Sequence, residues 1–580
     1  MSDGLTIQPA RAAVGGAAET LPQYTTLVDA VEAAAGATTG LAFYSGRGRL
    51  EAELSYRQLR DDARALAARL LATGLRPGER VGLVASTDAD FVRVFFACQY
   101  AALVPAPLPL PAAMGGRKPY LEHIRRMLLA ADAAALCGPA SLEDWFREAA
   151  EGLALRFVGT AAALPETGGP SSLPRTSPDA LAYLQFSSGS TRFPRGVAVT
   201  QRAVIANTRA IVLHGLCAGL GDRCVSWLPM YHDMGLVGFL LAPLVCHISV
   251  DYLPTHEFGR RPLVWLDLIS RNRGTLSYSP SFGYELCVRR AEHGLPEGLD
   301  LSSWRAAGIG GDMIRPRVLG HFAETFAPAG FDSHAFVASY GMAEASLALS
   351  FAPLGHGLQT DCLDSASLER NIVRQMAPTD SGARTRTFVR CGPILPEHEV
   401  QVRDGDGRVL GELQVGTLFV RGPSLMREYF GDPDETARTL SAGGWLDTGD
   451  LGYLHDGQLV ITGRAKDLIV INGRNIWPQD LEWTAEAEVD ALRSGGAAAF
   501  VVEGEVEDKI VMLVECRSGD QVVRAQMCDA VCGVLSSLHG VTAHVVPVPP
   551  RSLPRTSSGK LSRAKAKKLY LKGQLGAVAG

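Results

Sequence analysis

The sequence predicts an α/β protein: a large N-terminal part built of several subdomains, followed by a small C-terminal α+β module. Three observations carry this expectation. Segments of helical and strand periodicity alternate through Phe351, short β-branched strands crowd Thr387 to Val460, and a mixed pattern resumes after Gly463 and ends in a basic helix. At 580 residues the chain exceeds one ordinary domain. The expected division is 1–463 and 464–580, with the border at Gly463 to Lys466.

Residues 1–25, rich in Gly and Ala, read as a loose arm. Tyr56–Leu71 has the spacing of an amphipathic helix, Arg80–Leu83 reads as a short strand and Asp88–Ala102 as a largely apolar helix. The Pro-rich stretches Val104–Pro111 and Pro165–Pro178 read as loops. Gly235–Val250 is the most apolar run, too short to span a bilayer comfortably, and is expected to be a core helix followed by a buried strand. Asp404-Gly405 and Asp406-Gly407 mark turns in a small β-unit.

Composition narrows the function classes. The chain is 47% hydrophobic and 20% charged, has mean hydropathy +0.08 and carries net charge −5, which excludes the basic footprint of a nucleic-acid binder. Locally, Arg555, Lys560, Arg563, Lys565, Lys567, Lys568 and Lys572 crowd the tail, as a solvated helix face or as a docking patch for an acidic partner. The 11 cysteines are scattered, and Cys528 and Cys532 lack the companions of a zinc site. Free thiols and an N-terminus without a signal-peptide pattern fit the cytoplasm, and no stable membrane insertion is expected.

The chemistry-bearing segments are loops. The strand-like Leu181–Phe186 runs into Ser187, Ser188, Gly189, Ser190, Thr191, Arg192 and on to Gly196, where backbone N–H groups can converge on phosphate oxygens and Arg192 and Arg195 add charge. Val197–Val199 looks like another strand, so this is not the strand–loop–helix design of the common phosphate loop; alone, it is equally well a turn. His232 and Asp233 stand at the start of the apolar helix, with Tyr231 or Asp233 a possible cap. Gly311 and Asp312 follow one strand; Ser339, Tyr340, Gly341 and Met342 form a turn against which a planar base could lie. Glu344 could hold a magnesium ion, or simply occupy a first helical turn. Asp450 could grip a ribose diol, Arg464 lies at the border, and Lys560 sits in a loop ahead of the basic tail.

In their order and joint occurrence these segments resemble the acyl-adenylate-forming ligases, over nearly the whole chain. Within that superfamily the chain most resembles fatty acyl-AMP ligases. The residues that carry this are Ser190-Thr-Arg-Phe-Pro-Arg-Gly196, Tyr231-His-Asp-Met-Gly-Leu236, Gly473-Arg-Asn-Ile-Trp-Pro-Gln-Asp480 and a long stretch between Glu344 and Cys391, of which about 354–386 matches the family's insertion. Gly310-Gly-Asp-Met313 departs from the motif such ligases often show. Gly330-Phe-Asp-Ser333 only superficially resembles a phosphopantetheine attachment site, because it falls inside the catalytic region.

The resemblance implies an adenylate-forming N-terminal domain and a mobile C-terminal domain hinged at Lys466. It implies ATP and Mg2+ as cofactors and a fatty acid substrate. The acceptor is expected to be a separate acyl carrier protein or a polyketide or nonribosomal peptide synthase. Lys560, His232, Glu344 and Arg464 would be catalytic. The segment Ser187–Arg192, with Gly311, Asp312, Ser339–Met342, Asp450 and Arg464, would hold the nucleotide, and Glu344 the metal.

Overall fold

The computed structural model describes residues 21–111, 116–187, 195–376, 384–471, 474–492, 496–503, 508–555 and 560–575. The N-terminal part is α/β as expected. Its central eight-stranded sheet runs in the order Ala348–Phe351, Phe336–Gly341, Ala306–Ile309, Leu276–Ser279, Arg223–Ser226, Ser249–Tyr252, Gly40–Tyr44, Leu50–Ser55. The inner pairs are parallel and only the two edges are antiparallel. In such sheets ligands sit at the carboxyl ends of the strands. Here Trp227–Gly235, Gly310–Asp312 and Gly341–Glu344 follow the carboxyl ends of strands in that one parallel array, which brings together motifs far apart in sequence.

Tyr56–Ala72 and Ala89–Tyr100 are helices and Arg80–Val84 a strand, close to the sequence reading. The apolar run forms helical turns from Asp233 to Val245, then the strand Ser249–Tyr252. Two expectations are corrected. Val104–Leu108 is a buried strand at the edge of a four-stranded parallel sheet, not a loop. Prolines are tolerated on an edge strand when their missing N–H faces away from the ladder; Val104 N–H donates to Glu79, and Pro105 and Pro107 alternate with the ladder-facing positions. Residues 21–25 are tied down: Tyr24 is buried and its hydroxyl meets His247 Nε2 at 2.9 Å, while Arg209 donates to the carbonyls of Leu21 and Pro22.

The β-unit is larger than Thr387–Val460. Its six-stranded sheet takes in Thr360–Asp364, Thr385–Pro393, Glu399–Arg403, Gly416–Arg421, Leu446–His455 and Gln458–Arg464. The extra strand, Thr360–Asp364, comes from the 354–386 stretch and is pinned by Asp361. Its buried carboxylate accepts from Arg390 Nε, Tyr453 Oη and His455 Nδ1, each at 2.8 Å.

After Arg464, a turn at Ala465–Asp467 and the pair Ile469–Ile471 and Arg474–Ile476 lead to a three-stranded sheet of Ala497–Val502, Lys509–Glu515 and Ala543–Val548. Helices Pro478–Glu488, Gln521–His539 and Arg563–Leu571 pack on it, forming cores separate from the large N-terminal one. Among the described residues no helix is long and apolar enough to cross a membrane.

Candidate active site

A cleft of about 530 Å³ opens where the parallel strands end, lined by Ser187, His232, Asp312, Tyr340, Glu344, Asp450, Arg464 and Lys560. Every described residue expected at the nucleotide lies along it: Gly311, Ser339, Gly341 and Met342 complete the lining. Ser188, Gly189, Ser190, Thr191 and Arg192 lie outside the described residues. The loop that holds them is bracketed by the antiparallel strands Leu181–Ser187 and Arg195–Thr200, where Ser187 pairs with Arg195.

Arg195, read as phosphate charge, lines the cleft and also has partners within the protein. Its Nη1 donates to Glu435 Oε1 at 2.5 Å, Nε stands 3.6 Å from Asp432, and the guanidinium lies 5.6 Å over the Tyr429 ring. Glu435 and Asp432 were not legible as partners because they follow more than two hundred residues later.

Tyr340 and Asp450 are both buried, and the Tyr340 hydroxyl donates to Asp450 Oδ2 at 2.7 Å. Arg464 Nε stands 3.4 Å from Asp450 Oδ1, a contact set by β-pairing, since the two residues are direct cross-strand partners. Burial holds the Asp450 carboxyl above its ordinary value; Arg464, the Tyr340 hydrogen bond and Lys560 pull it back. A glycine is required beside Tyr340, because a Cβ on Gly341 would stand 1.9 Å from the Leu347 carbonyl oxygen.

Glu344 sits in a single turn, Ala343–Ala345, the bland alternative that the sequence left open. Its Oε1 accepts from the Tyr429 hydroxyl at 2.8 Å, a partner that sequence reasoning missed. Tyr429 belongs to a short strand paired with Val197, which ties Glu344 to the sheet carrying the phosphate-loop strands. Burial raises the Glu344 carboxyl, opposed by that hydrogen bond. A desolvated acid whose ionised form is costly gains from a cation beside it. No cluster of three or more metal-ligating side chains occurs among the described residues. Mg2+ is held by one or two carboxylates together with substrate phosphates, and the buried Glu344 carboxylate is of that kind.

His232 holds the N-cap position of the helix that opens at Asp233, with Nδ1 3.4 Å from the Met234 nitrogen, but Asp233 Oδ1 accepts that N–H more closely, at 2.7 Å, and lies 2.6 Å from His232 Nδ1. Burial would push Asp233 up, but His232, Lys560 and the Met234 N–H outweigh it and hold the carboxyl below its ordinary value. Lys560 thus acts electrostatically on two carboxylates of the large part, Asp233 and Asp450. Asp312 is exposed and its Oδ1 accepts the Met313 N–H at 2.8 Å.

The inner arm of the cleft is apolar. Ile211, Leu216, Phe239, Leu276, Tyr278 and Phe351 line it, beside wide π-type turns at Ile211–Gly215 and Val237–Leu241, which recur at functional sites. Tyr278 lies flat across Gly308, where a Cβ would stand 1.9 Å from the ring.

A family profile described as AMP-binding enzyme matches residues 31–430. This chain belongs to the AMP-binding enzymes. Within that family it is 33% identical to a medium-chain-fatty-acid–[acyl-carrier-protein] ligase of Moorena producens, over 96% of each chain. It is 31% identical to a long-chain-fatty-acid–AMP ligase of Mycolicibacterium smegmatis, over 92% of this chain and 91% of that one. A Caulobacter vibrioides protein with a provisional acyl-CoA synthetase name is 55% identical over 95% of this chain and 96% of its own. A solved structure from a study of fatty acyl-adenylate ligases of E. coli and L. pneumophila superposes with TM-score 0.89 at 46% identity, covering 95% of this chain and 99% of that chain. The family is thus the one that the motifs resemble, and adenylate-forming enzymes use ATP.

Proposed function

We propose that this chain activates a fatty acid with ATP to fatty acyl-AMP, releasing pyrophosphate, and passes the acyl group to a separate acyl carrier protein or a synthase that bears one. The observation that carries the reading is that Lys560 lines the same cleft as Asp233, Tyr340, Glu344, Asp450 and Arg464, and that this cleft continues into an apolar arm.

The acid chain enters the arm lined by Phe239 and Tyr278, and its carboxylate faces the polar end. It needs no general base, since a carboxylic acid of pKa roughly 4 to 5 is ionised at neutral pH. The carboxylate oxygen attacks the α-phosphorus in line, the bond to the β-phosphate breaks, and pyrophosphate leaves. The enzyme's work is positioning and charge stabilisation. Lys560 bridges the attacking carboxylate and the α-phosphate, Asp450 receives the ribose hydroxyls, and Arg464 steadies ribose or phosphate. Tyr340 flanks the base, the loop after Ser187 wraps the phosphates, and His232 orders the turn at the carboxylate end. Mg2+ held at Glu344 would neutralise phosphate charge.

Transfer requires the C-terminal part, residues 464–580, to swing at Lys466, which lies exposed in the Ala465–Asp467 turn. The 354–386 stretch is proposed to restrain that swing and disfavour coenzyme A. Its support is direct contact. Glu369 takes Arg474 Nε at 2.8 Å, Asn371 Oδ1 takes Asn475 Nδ2 at 3.0 Å, and Arg386, stacked between Phe388 and Trp477, reaches Asp480 at 2.9 Å.

The second reading, an acyl-CoA synthetase, is favoured by the name of the Caulobacter relative. One experiment separates them: a mixture of fatty acids with ATP, given coenzyme A or a phosphopantetheinylated carrier protein, followed by mass spectrometry. Acyl-AMP that persists with coenzyme A and is consumed by the carrier is expected; thioester made with coenzyme A as fast as adenylate forms overturns the proposal. Lys560→Ala should cripple pyrophosphate exchange, leaving a small residual rate, while ATP still binds, and normal exchange would remove Lys560 from the reaction.

A further inference from the structure

Arg563 opens the basic helix Arg563–Leu571, yet it does not share that helix's solvated face. Its side chain is 18% exposed and its guanidinium is fully engaged. Nε and Nη2 donate to Glu482 Oε1 and Oε2 at 2.7 and 2.6 Å, and Nη1 donates to Asp467 Oδ2 at 2.8 Å. Glu482 is 3% exposed, and its Oε1 also accepts the Ala499 N–H at 2.9 Å, so this carboxylate is fixed to the C-terminal sheet. Asp467 is the last residue of the turn by which the chain leaves the large part.

Lys560 lies three residues before Arg563, and the backbone between them is held. Leu561 bridges Arg555, and the Ser562 N–H donates to the Pro554 carbonyl at 2.9 Å. One planar fork therefore ties together the connecting turn, the helix Pro478–Glu488 and the helix start that follows Lys560. A lysine is a point charge on a flexible stem, whereas a guanidinium fork fixes direction. Misplacing a reacting group by about 1 Å can cost roughly a hundredfold in rate.

We infer that Arg563 is a positioning residue for Lys560, coupling the connecting turn to the lysine through Asp467, so that the lysine is aligned in the cleft only while the turn presents Asp467 to Arg563. The inference rests on the proposed role of Lys560 in adenylation. It assigns Arg563 no contact with substrate.

The test is a double-mutant cycle in the full-length chain, read by pyrophosphate exchange with ATP and a mixture of medium- and long-chain saturated fatty acids. Asp467→Asn leaves the Glu482 pair intact and is the primary variant. Arg563→Lys and the double variant Arg563→Gln with Glu482→Gln extend it without stranding a buried carboxylate. Each should lower kcat by about tenfold or more while KM for ATP stays within about twofold. Added to Lys560→Ala, Asp467→Asn should cause no further loss, because groups acting through one another are not additive. A purely structural role would lower the melting temperature and multiply the two losses. Unchanged kcat in Asp467→Asn, or full additivity with Lys560→Ala, overturns this inference alone. Wild-type exchange in Lys560→Ala overturns it together with the proposed role of that lysine.

Discussion

Tyr340→Phe removes one atom from the site and should be felt through Asp450. The lost hydroxyl donates to Asp450 Oδ2 at 2.7 Å between two buried side chains. A hydrogen bond to a charged group contributes about 1.5–3 kcal/mol, and about 1.4 kcal/mol corresponds to one pKa unit. Asp450 is already raised by burial, with the Tyr340 bond among the forces holding it down. Its carboxyl should therefore rise further. In the role proposed for Asp450, ribose binding needs the ionised carboxylate, so ATP affinity is present above that pKa and lost as pH falls through it; the variant moves this loss toward neutral pH. The assay is KM for ATP in pyrophosphate exchange across acid to neutral pH. Expected is an increase of about tenfold or more at neutral pH, growing toward acid, with the acid limb displaced upward. An unchanged KM and an unmoved acid limb would refute the reasoning, and Asp450→Asn supplies the limiting case.

Two further outcomes follow from buried charge. Burial lifts the Glu486 carboxyl to about 7, with Arg315 pulling down and Glu482 and Glu285 pushing up. Because its folded value lies above the unfolded 4.5, it contributes most below that pH and loses the contribution as pH rises through about 7. Glu486→Gln should flatten the fall in melting temperature between mildly acid and mildly alkaline pH; parallel curves for variant and wild type would refute this. Asp361→Asn leaves Arg390 only the longer 3.6 Å pair with Asp456 and should destabilise by about 3 kcal/mol, with faster hydrogen exchange at Thr360–Asp364. A loss below about 1 kcal/mol in denaturant unfolding, with exchange unaltered, would show that Asp361 does not pin that strand.

Much of the fold was legible because periodicity records local burial. The helix Tyr56–Ala72 and the strand Ser249–Tyr252 follow from spacing alone. The strand Val104–Leu108 did not, because proline composition reads as a turn unless the open edge it faces is known. Thr360–Asp364 was hidden for the same kind of reason: its stability comes from Arg390, Tyr453 and His455, supplied by other strands.

The opposite holds within the site. The loops around Ser187, His232, Ser339, Asp450 and Lys560 each left a plain turn or cap open, and it was their order and joint occurrence, resembling the acyl-adenylate-forming ligases, that indicated adenylate chemistry. Their partners were not readable. Tyr429 on Glu344, Glu435 on Arg195 and Glu482 with Asp467 on Arg563 are contacts between segments remote in sequence. By itself, then, the sequence determined the fold class, the family and the loops that bear the chemistry. Only the tertiary structure decided which charges are paired, which carboxyls are raised, and that Lys560 shares a cleft with Asp233 and Asp450, because electrostatic energy depends on distance and burial, and neither is a property of the chain until it is packed.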